Sequence, residues 1–218
     1  MNGKMRRLIS TAMLAIALMT ATGCQQVGSF FGRLSGRTPF SAARKMQDPH
    51  FADERREGIN ELVANDFGKR PPYTKRYQQI AQADPDYTVR AIAVRALNRA
   101  RDKSATDVFV KALSDRNDLV RLEAAKALGN VPDPSAVEGL SRIVTNGVET
   151  RDLRIAAAHA LRHYRHLGAA RSLVNVLNVK DFGVAWQARR SLRKVTGRDL
   201  KHDEGAWLTY LTTQNPFG

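Results

Sequence analysis

The amino-acid sequence predicts an all-α protein, an α-solenoid of about five helix pairs that follows a signal peptide and a flexible tether. One short pattern recurs along the chain, and its closing leucines lie in steps of 35, 31, 33 and 31 residues. A period of this length is typical of repeat arrays, in which each unit buries its apolar face against its neighbours. The closing leucines are Leu62, Leu97, Leu128, Leu161 and Leu192.

The residue types inside each copy follow from helix packing. Positions −4, −1 and 0, counted from the leucine, share one face of an α-helix, so small residues there let neighbouring helices approach closely. Position −7 is arginine in four copies, and an acidic or turn residue precedes every copy. We expect those residues to cap the helices, or to pair with the arginine of the next repeat. Position −4 is Gly58, Ala93, Ala124, Ala157 and Ala188; the arginines are Arg55, Arg90, Arg121 and Arg154.

The clearest turn reads Asp84-Pro-Asp-Tyr-Thr-Val89-Arg90. It resembles the turn of the HEAT repeat family, whose unit is two antiparallel helices joined by Asp-Pro-x-x-x-Val-Arg. The resemblance covers roughly residues 40–212 and implies a right-handed α-solenoid that binds other macromolecules. A few family members are di-iron hydroxylases that need repeated His-Glu pairs. Because no His-Glu dipeptide occurs in this sequence, the resemblance does not imply that activity.

Residues 1–23 have the layout of a secretory signal. Lys4, Arg6 and Arg7 precede a largely apolar run over residues 8–19, which is too short to span a bilayer. A small-residue site, Ala21-Thr22-Gly23, stands directly before Cys24, the only cysteine in the chain. This arrangement resembles the lipobox of bacterial lipoproteins and implies lipidation of Cys24. The alternative is an ordinary signal peptide with an unrelated cysteine.

The remaining boundaries follow from composition. Residues 24–40, rich in Gly and Ser, predict a tether behind the lipidated cysteine, and residues 41–212 the solenoid with a C-terminal capping helix that carries Trp207. Residues 213–218 are a tail. Gln25 replaces the aspartate that favours inner-membrane retention in lipoproteins. We therefore expect a lipid-anchored protein on the periplasmic side of the cell envelope, with the outer membrane favoured over the inner one.

Charge is the strongest functional signal. The formal net charge is +14, and +11 without Lys4, Arg6 and Arg7. Positions −2 and +2 are four apart, hence on one face of the helix, and they are often basic. Stacking would align them as a basic strip on the concave face, which is either a surface that attracts anions or simply a solvated helix face. The predicted partner-binding residues are Arg95, Arg99, Lys126, His159, His163, Arg190 and Lys194.

The sequence does not indicate a catalytic site. His159, His163 and His166 are expected on one side of a helix over residues 151–165, but no Glu follows His159, so the zinc-protease motif is absent. The chain also lacks a nucleophile elbow, a phosphate-binding glycine loop and paired cysteines. We predict no catalytic residues, no metal site and no cofactor.

Two functions of different classes fit this pattern. The first is a membrane-anchored, non-enzymatic scaffold whose basic concave face binds a protein partner or an anionic envelope polymer. The second is a solenoid that grips nucleic acid through the same face. The export signal argues against the second, because it places the protein away from the cell's nucleic acid. An enzyme that uses the repeats as a frame is a further alternative, for which the sequence offers no residue set.

Overall fold

A computed structural model describes residues 38–218, and within that range every regular element is helical. Residues 43–218 form one compact unit. Of the N-terminal unit, residues 1–42, only residues 38–42 are described; there Thr38 and Ser41 exchange backbone-to-side-chain hydrogen bonds. The predicted signal peptide, Cys24 and most of the predicted tether lie outside the described residues.

The five copies of the sequence pattern form what we call the repeated helices, and these alternate with intervening helices. The repeated helices are α2 (Ala52–Val63), α4 (Tyr87–Ala100), α6 (Asp118–Asn130), α8 (Arg151–Leu161) and α10 (Phe182–Thr196). The intervening helices are α1 (Pro39–Met46), α3 (Tyr73–Ala83), α5 (Thr106–Ala112), α7 (Val137–Thr145), α9 (Leu167–Val174) and α11 (Glu204–Thr213). Short 3₁₀ turns occupy Asp66–Lys69, Lys103–Ala105 and Pro134–Ala136.

The helices are arranged in two layers. Each repeated helix packs on the next, from α2 through α4, α6 and α8 to α10. Each repeated helix from α4 onward also packs on the intervening helix next to it in the chain, and α7, α9 and α11 contact one another in succession. Neighbour-to-neighbour packing of this kind is that of an α-solenoid, so the predicted fold is confirmed.

The core lies between the layers and is built from the residue types that the repeat predicts. All five closing leucines are buried, and so is the small residue at position −4 of every copy. Small side chains at these positions allow the repeated helices to pack closely, and the leucines fill the space that remains. Gly129 shows how close this approach is, since a Cβ there would lie 3.6 Å from the Cα of Ala160.

Acidic and amide side chains cap several of the helices, but of the acidic and turn residues expected before the five copies only Asp181 caps its helix. The Asp86 carboxylate accepts hydrogen bonds from the backbone N–H groups of Thr88 and Val89 at the start of α4. Asn117, Asp181 and Asp203 cap α6, α10 and α11 in the same way. Each cap satisfies N–H groups that have no partner inside the helix.

Three arginines at position −7 fasten consecutive repeats together, and we call this set the arginine ladder. Arg55 donates from Nε and Nη2 to the Asp84 carboxylate at 2.8 and 2.9 Å, and Arg90 donates to Asp115 at the same distances. Arg121 pairs with Glu149. Each guanidinium thus reaches the turn that follows its own repeat.

The direction of the ladder differs from the sequence expectation. A turn carboxylate binds the arginine of the preceding repeat, not that of the next one. The arginine that follows the turn binds the backbone of the turn: Arg90 donates to the carbonyl oxygens of Asp84 and Pro85 at 2.9 and 3.2 Å. Each arginine therefore contacts two successive turns, through a carbonyl on one side and a carboxylate on the other.

The ladder stops between α8 and α10. Arg154 donates from Nε to the carbonyl oxygen of Val144 at 3.1 Å, and within residues 38–218 it makes no ion pair. Asp181, which caps α10, is paired instead with Arg151, whose side chain is 63% exposed. This joint is held by a different bond, from the buried Ser191 hydroxyl to the carbonyl oxygen of Ala158 at 2.6 Å.

Helix α8 ends at Leu161, four residues earlier than predicted. Tyr164 lies just beyond this end, and its buried hydroxyl donates to the carbonyl oxygen of Leu128 at 3.2 Å. His166 caps α9, where its Nδ1 accepts from the backbone N–H of Gly168. The expectation that His159, His163 and His166 share one helix face is therefore wrong.

The last helix, α11, packs on α9. Trp207 is fully buried there, and its indole N–H donates to the carbonyl oxygen of Lys201 at 3.1 Å. Across residues 38–218, none of the helices has the length and apolar character needed to cross a membrane.

Candidate anion-binding surface

The exposed side of the repeated helices, which we call the repeated-helix face, carries the predicted binding residues. Arg95 and Arg99 lie on α4, Lys126 on α6, His159 on α8, and Arg190 and Lys194 on α10. His163 lies just beyond the end of α8. His159 is half-buried and the other six side chains are exposed. Their roles in binding stay a prediction, but their surroundings divide them into two groups.

The first group, Arg95 and Lys126, shares one carboxylate that no repeat pattern indicates. Glu123 on α6 is only 3% exposed at its side chain, and it accepts hydrogen bonds from Arg95 at 3.1 and 3.0 Å. Lys126, one turn along the same helix, donates to the same carboxylate at 3.0 Å. Two cations of the predicted strip thus satisfy one buried anion.

The pKa of Glu123 reflects this arrangement. Burial alone would raise the pKa, but the hydrogen bonds and charges of Arg95 and Lys126 outweigh burial and hold it below the usual 4.5. Glu123 is therefore ionised at neutral pH. The central part of the repeated-helix face has much less free positive charge than its composition suggests.

The second group lies at the C-terminal end and forms what we call the C-terminal basic cluster: Arg190, Arg193, Lys194 and Arg198. Together with Gly197 and Asp199 these side chains line a cleft of about 430 Å³. Gly197 ends α10 in the left-handed conformation with φ of +74°, which glycine adopts readily. The turn brings Arg198 and Asp199 back beside the last turn of the helix.

Only one carboxylate lines this cleft. Asp199 accepts from Arg189 at 3.0 and 2.9 Å and lies 3.3 Å from Arg193. Arg189 is the largest cause that lowers the pKa of Asp199 to about 2. Arg190 stacks on the ring of Trp186, with the guanidinium carbon 4.6 Å from the ring centroid, so its position is fixed without neutralising its charge.

Two histidines adjoin the cluster. Burial lowers the pKa of His159 below the usual 6.5, and the charges of Arg162, His163 and Arg190 lower it further. The pKa of His163 is also lowered, most by burial and then by the charges of Arg162 and Lys194. Both side chains are therefore neutral at pH 7, and their protonation at lower pH would add to a positive field that already exists.

Sequence reasoning missed three residues that shape this surface. Trp186 and Arg198 fall outside the positions that carry the repeated basic pattern, and Glu123 stands at position −5, where the other copies have Glu57, Ile92, Ala156 and Gln187. Arg198 could have been found from the Gly197 signal, because a glycine after a helix indicates a reversal that returns the chain to it. Glu123 offered no such signal.

The described residues do not assemble a metal centre. Within residues 38–218, no three His, Cys, Asp or Glu side chains come together in a way that could hold a metal ion. His159 and His163 have ring centroids 6.4 Å apart, and His163 accepts a hydrogen bond from Arg162.

Comparison with known proteins supports the architecture. A family model described as HEAT repeats matches residues 75–162, which span α3 to α8 and include two of the three rungs of the ladder. None of the curated proteins compared with the chain matches it. Stacked helix pairs, a repeat of 30-odd residues and this family match lead to one conclusion: residues 75–162 of the chain are HEAT repeats within an α-solenoid.

Proposed function

We propose that this chain is a lipid-anchored, non-enzymatic scaffold of the cell envelope that binds a protein partner or an anionic envelope polymer. The observation that carries the proposal is the C-terminal basic cluster, where four cations line a cleft with a single carboxylate. HEAT repeats commonly serve as helical scaffolds for protein interactions. A cleft of one charge sign concentrates its field, which speeds the arrival of an oppositely charged partner.

Binding is centred on the cluster and not on the whole predicted strip. Arg95 and Lys126 already bind Glu123, so using them for a partner would weaken the bonds of a buried carboxylate. Arg190 and Lys194 make no ion pair within the described part of the chain. Arg99 and the two histidines would extend the surface along the neighbouring repeats.

The decisive experiment removes charge from the cluster and from the opposite layer in equal amounts. Arg190→Gln/Lys194→Gln is compared with Lys75→Gln/Arg171→Gln, which removes two exposed cations from intervening helices. Each mature variant is used to capture partners from detergent-solubilised envelope, and association rates are measured for the captured partner. The cluster variant should associate more slowly, and wild-type association should weaken as salt rises past about 0.15 M, where screening acts within about 8 Å.

The control decides what the result means. Equal loss in both double variants would show that net charge, and not the cluster, drives binding. No loss in either would show that the basic surface is only solvated. Selective capture of DNA or RNA by the wild type would favour the nucleic-acid alternative, and cell fractionation would then have to place the protein beside nucleic acid.

Anchoring is tested separately, because it depends on Cys24 outside the described residues. Metabolic labelling with a fatty acid should mark the wild type and leave Cys24→Ser unlabelled. A labelled Cys24→Ser protein, or a mature protein that still begins at Met1, would refute the lipid anchor. Separation of inner and outer membranes should then recover the labelled protein mainly with the outer membrane.

A further inference from the structure

An apolar row runs beside the basic residues on the repeated-helix face. Position −6 is Leu122 on α6, Ile155 on α8 and Trp186 on α10. Leu122 and Ile155 are half-buried, and Trp186 is 44% exposed. In the two earlier copies this position holds Arg56 and the buried Ala91, so the apolar row is confined to the C-terminal half, as the basic cluster is.

The row is continuous with a groove between helices. Side chains from α6, α8 and α10 together enclose a volume of about 350 Å³. Its apolar lining comes from Leu122, Ile155 and Ala156, its cationic or titratable edge from Lys126 and His159, and Asp152 lies one helical turn before Ala156. A groove of this composition suits an apolar side chain, and the unpaired cations that could bind acidic residues next to that side chain are Arg190 and Lys194 on α10.

The spacing of the two rows restricts the shape of the occupant. Positions −6 and −2 are four residues apart, which is about 6 Å along a helix axis. Successive repeated helices lie about 8–10 Å apart. A polyproline II strand has three residues per turn and a rise of about 3.1 Å, so every third side chain returns to the same face after about 9 Å. An extended segment that crosses the helices can thus place one apolar side chain on each.

We infer that the repeated-helix face from α6 to α10 docks an extended acidic segment of a partner protein that carries an apolar side chain at about every third residue. This inference rests on the proposed function and names the class of partner. The segment must be acidic, because its charge has to complement Arg190, Lys194 and the neighbouring cations. The segment must also carry apolar side chains, because a purely anionic polymer would leave the row of Leu122, Ile155 and Trp186 uncovered.

Two synthetic peptides test the inference on the full chain. One is fluorescein-labelled Glu-Glu-Leu repeated five times, and the other is Glu-Glu-Ser repeated five times, which has the same charge. Fluorescence anisotropy should show that the wild type binds the leucine peptide at least about tenfold more tightly. Ile155→Ser and, as a second variant, Leu122→Ser should each remove most of that difference and leave binding of the serine peptide unchanged.

Controls separate this inference from the proposed function. Leu208→Ser alters a partly exposed leucine on α11 and should change neither affinity, and each variant is used only if its melting curve matches that of the wild type. Equal wild-type affinity for both peptides, with both weakened by Arg190→Gln/Lys194→Gln, would overturn the inference and leave the proposed function standing. A leucine preference that survives Ile155→Ser and Leu122→Ser would overturn it as well. If neither peptide binds, the inference is again wrong, and the capture experiment alone judges the proposed function.

Discussion

At the scale of single residues, Tyr77 and Tyr164 show opposite uses of a buried hydroxyl. Tyr77 on α3 is fully buried, and among the described residues its hydroxyl has no hydrogen-bond partner. Tyr164 is also buried, but its hydroxyl joins the carbonyl oxygen of Leu128 to the backbone N–H of Asp133. Burial raises the pKa of both phenols, to about 12 for Tyr164, so both are protonated at physiological pH.

Removing the two hydroxyls should therefore have different effects. Tyr77→Phe should leave the free energy of unfolding unchanged or raise it by about 1 kcal/mol, because no bond is lost and a buried polar group disappears. Tyr164→Phe should lower it by about 1–3 kcal/mol, since two backbone groups lose a partner. Urea unfolding of both variants measures the difference, and an equal cost for the two would contradict the hydrogen-bond assignment.

His159 and His163 give stability a pH dependence that can be measured. Their pKa values are below 6.5 in the folded chain, so the unfolded chain binds more protons as the pH falls. The corresponding stability is fully present above about pH 6.5 and is lost as the pH falls through the folded pKa values. Urea unfolding at about pH 7.5 and 5.5 should show a smaller loss for His159→Gln/His163→Gln than for the wild type. The exposed His50→Gln variant serves as control, and a double variant that follows the wild-type curve would refute the assignment.

At the scale of helices, the arginine ladder is the main polar contact between repeats. In its central rung the side chains of Arg90 and Asp115 are 6% and 14% exposed. Burial alone would raise the pKa of Asp115, but Arg90 and the Asn117 N–H outweigh it, so the pKa lies below 3.8. The stability from this carboxylate is present above about pH 3.8 and is lost as the pH falls through its folded value.

Breaking this rung should be costly. Asp115→Asn leaves a buried guanidinium without its counter-charge, and we expect the free energy of unfolding to fall by about 3–5 kcal/mol. Asp66→Asn provides the matched control, because Asp66 pairs with Lys69 at an exposed site and should cost less than about 1 kcal/mol. Chemical unfolding of both variants tests the contrast, which fails if the two costs are alike.

The helices could be predicted from sequence because the signal repeats. Five leucines and five small residues at fixed spacing define which face is buried, and no long-range information is needed to read them. The end of α8 could not be predicted in this way, since the tyrosine just beyond it, Tyr164, bonds to the backbone of another repeat, and a local pattern does not contain such a contact. The pairing of Glu123 was equally hidden, because one of its two cations comes from a different helix, α4.

The repeat positions predict a continuous basic strip, but the free positive charge along it is unevenly distributed. Repeat positions correctly place Arg190 and Lys194 on one exposed surface, but they say nothing of the charges that face them. Asp199, which restrains Arg189 and Arg193, lies in a turn after α10 and belongs to no repeat position. Local charge balance depends on such contacts, and a periodic pattern does not contain them.

At the scale of the whole molecule, stability is a sum over neighbours, and central repeats should contribute most to it. Leu128 is fully buried in α6, between α4 and α8. Leu128→Ala should lower the free energy of unfolding by roughly 2–5 kcal/mol through lost contacts and the cavity left behind. Leu62→Ala in the first copy should cost less, because α2 packs on only one other repeated helix. Unfolding midpoints measure both, and a Leu128→Ala midpoint equal to the wild type would contradict the core assignment.

The gap in the arginine ladder has a mechanical consequence. Where Arg154 lacks a carboxylate, the last two repeats are joined by the Ser191 bond and by an exposed pair, Arg151 with Asp181. We expect this joint to bend more readily than the others, which would change the angle between the terminal repeat and the rest of the solenoid. His163, just beyond the end of α8, and Lys194 on α10 lie on opposite sides of the joint. A partner that contacts both residues would bridge this joint and restrict its bending.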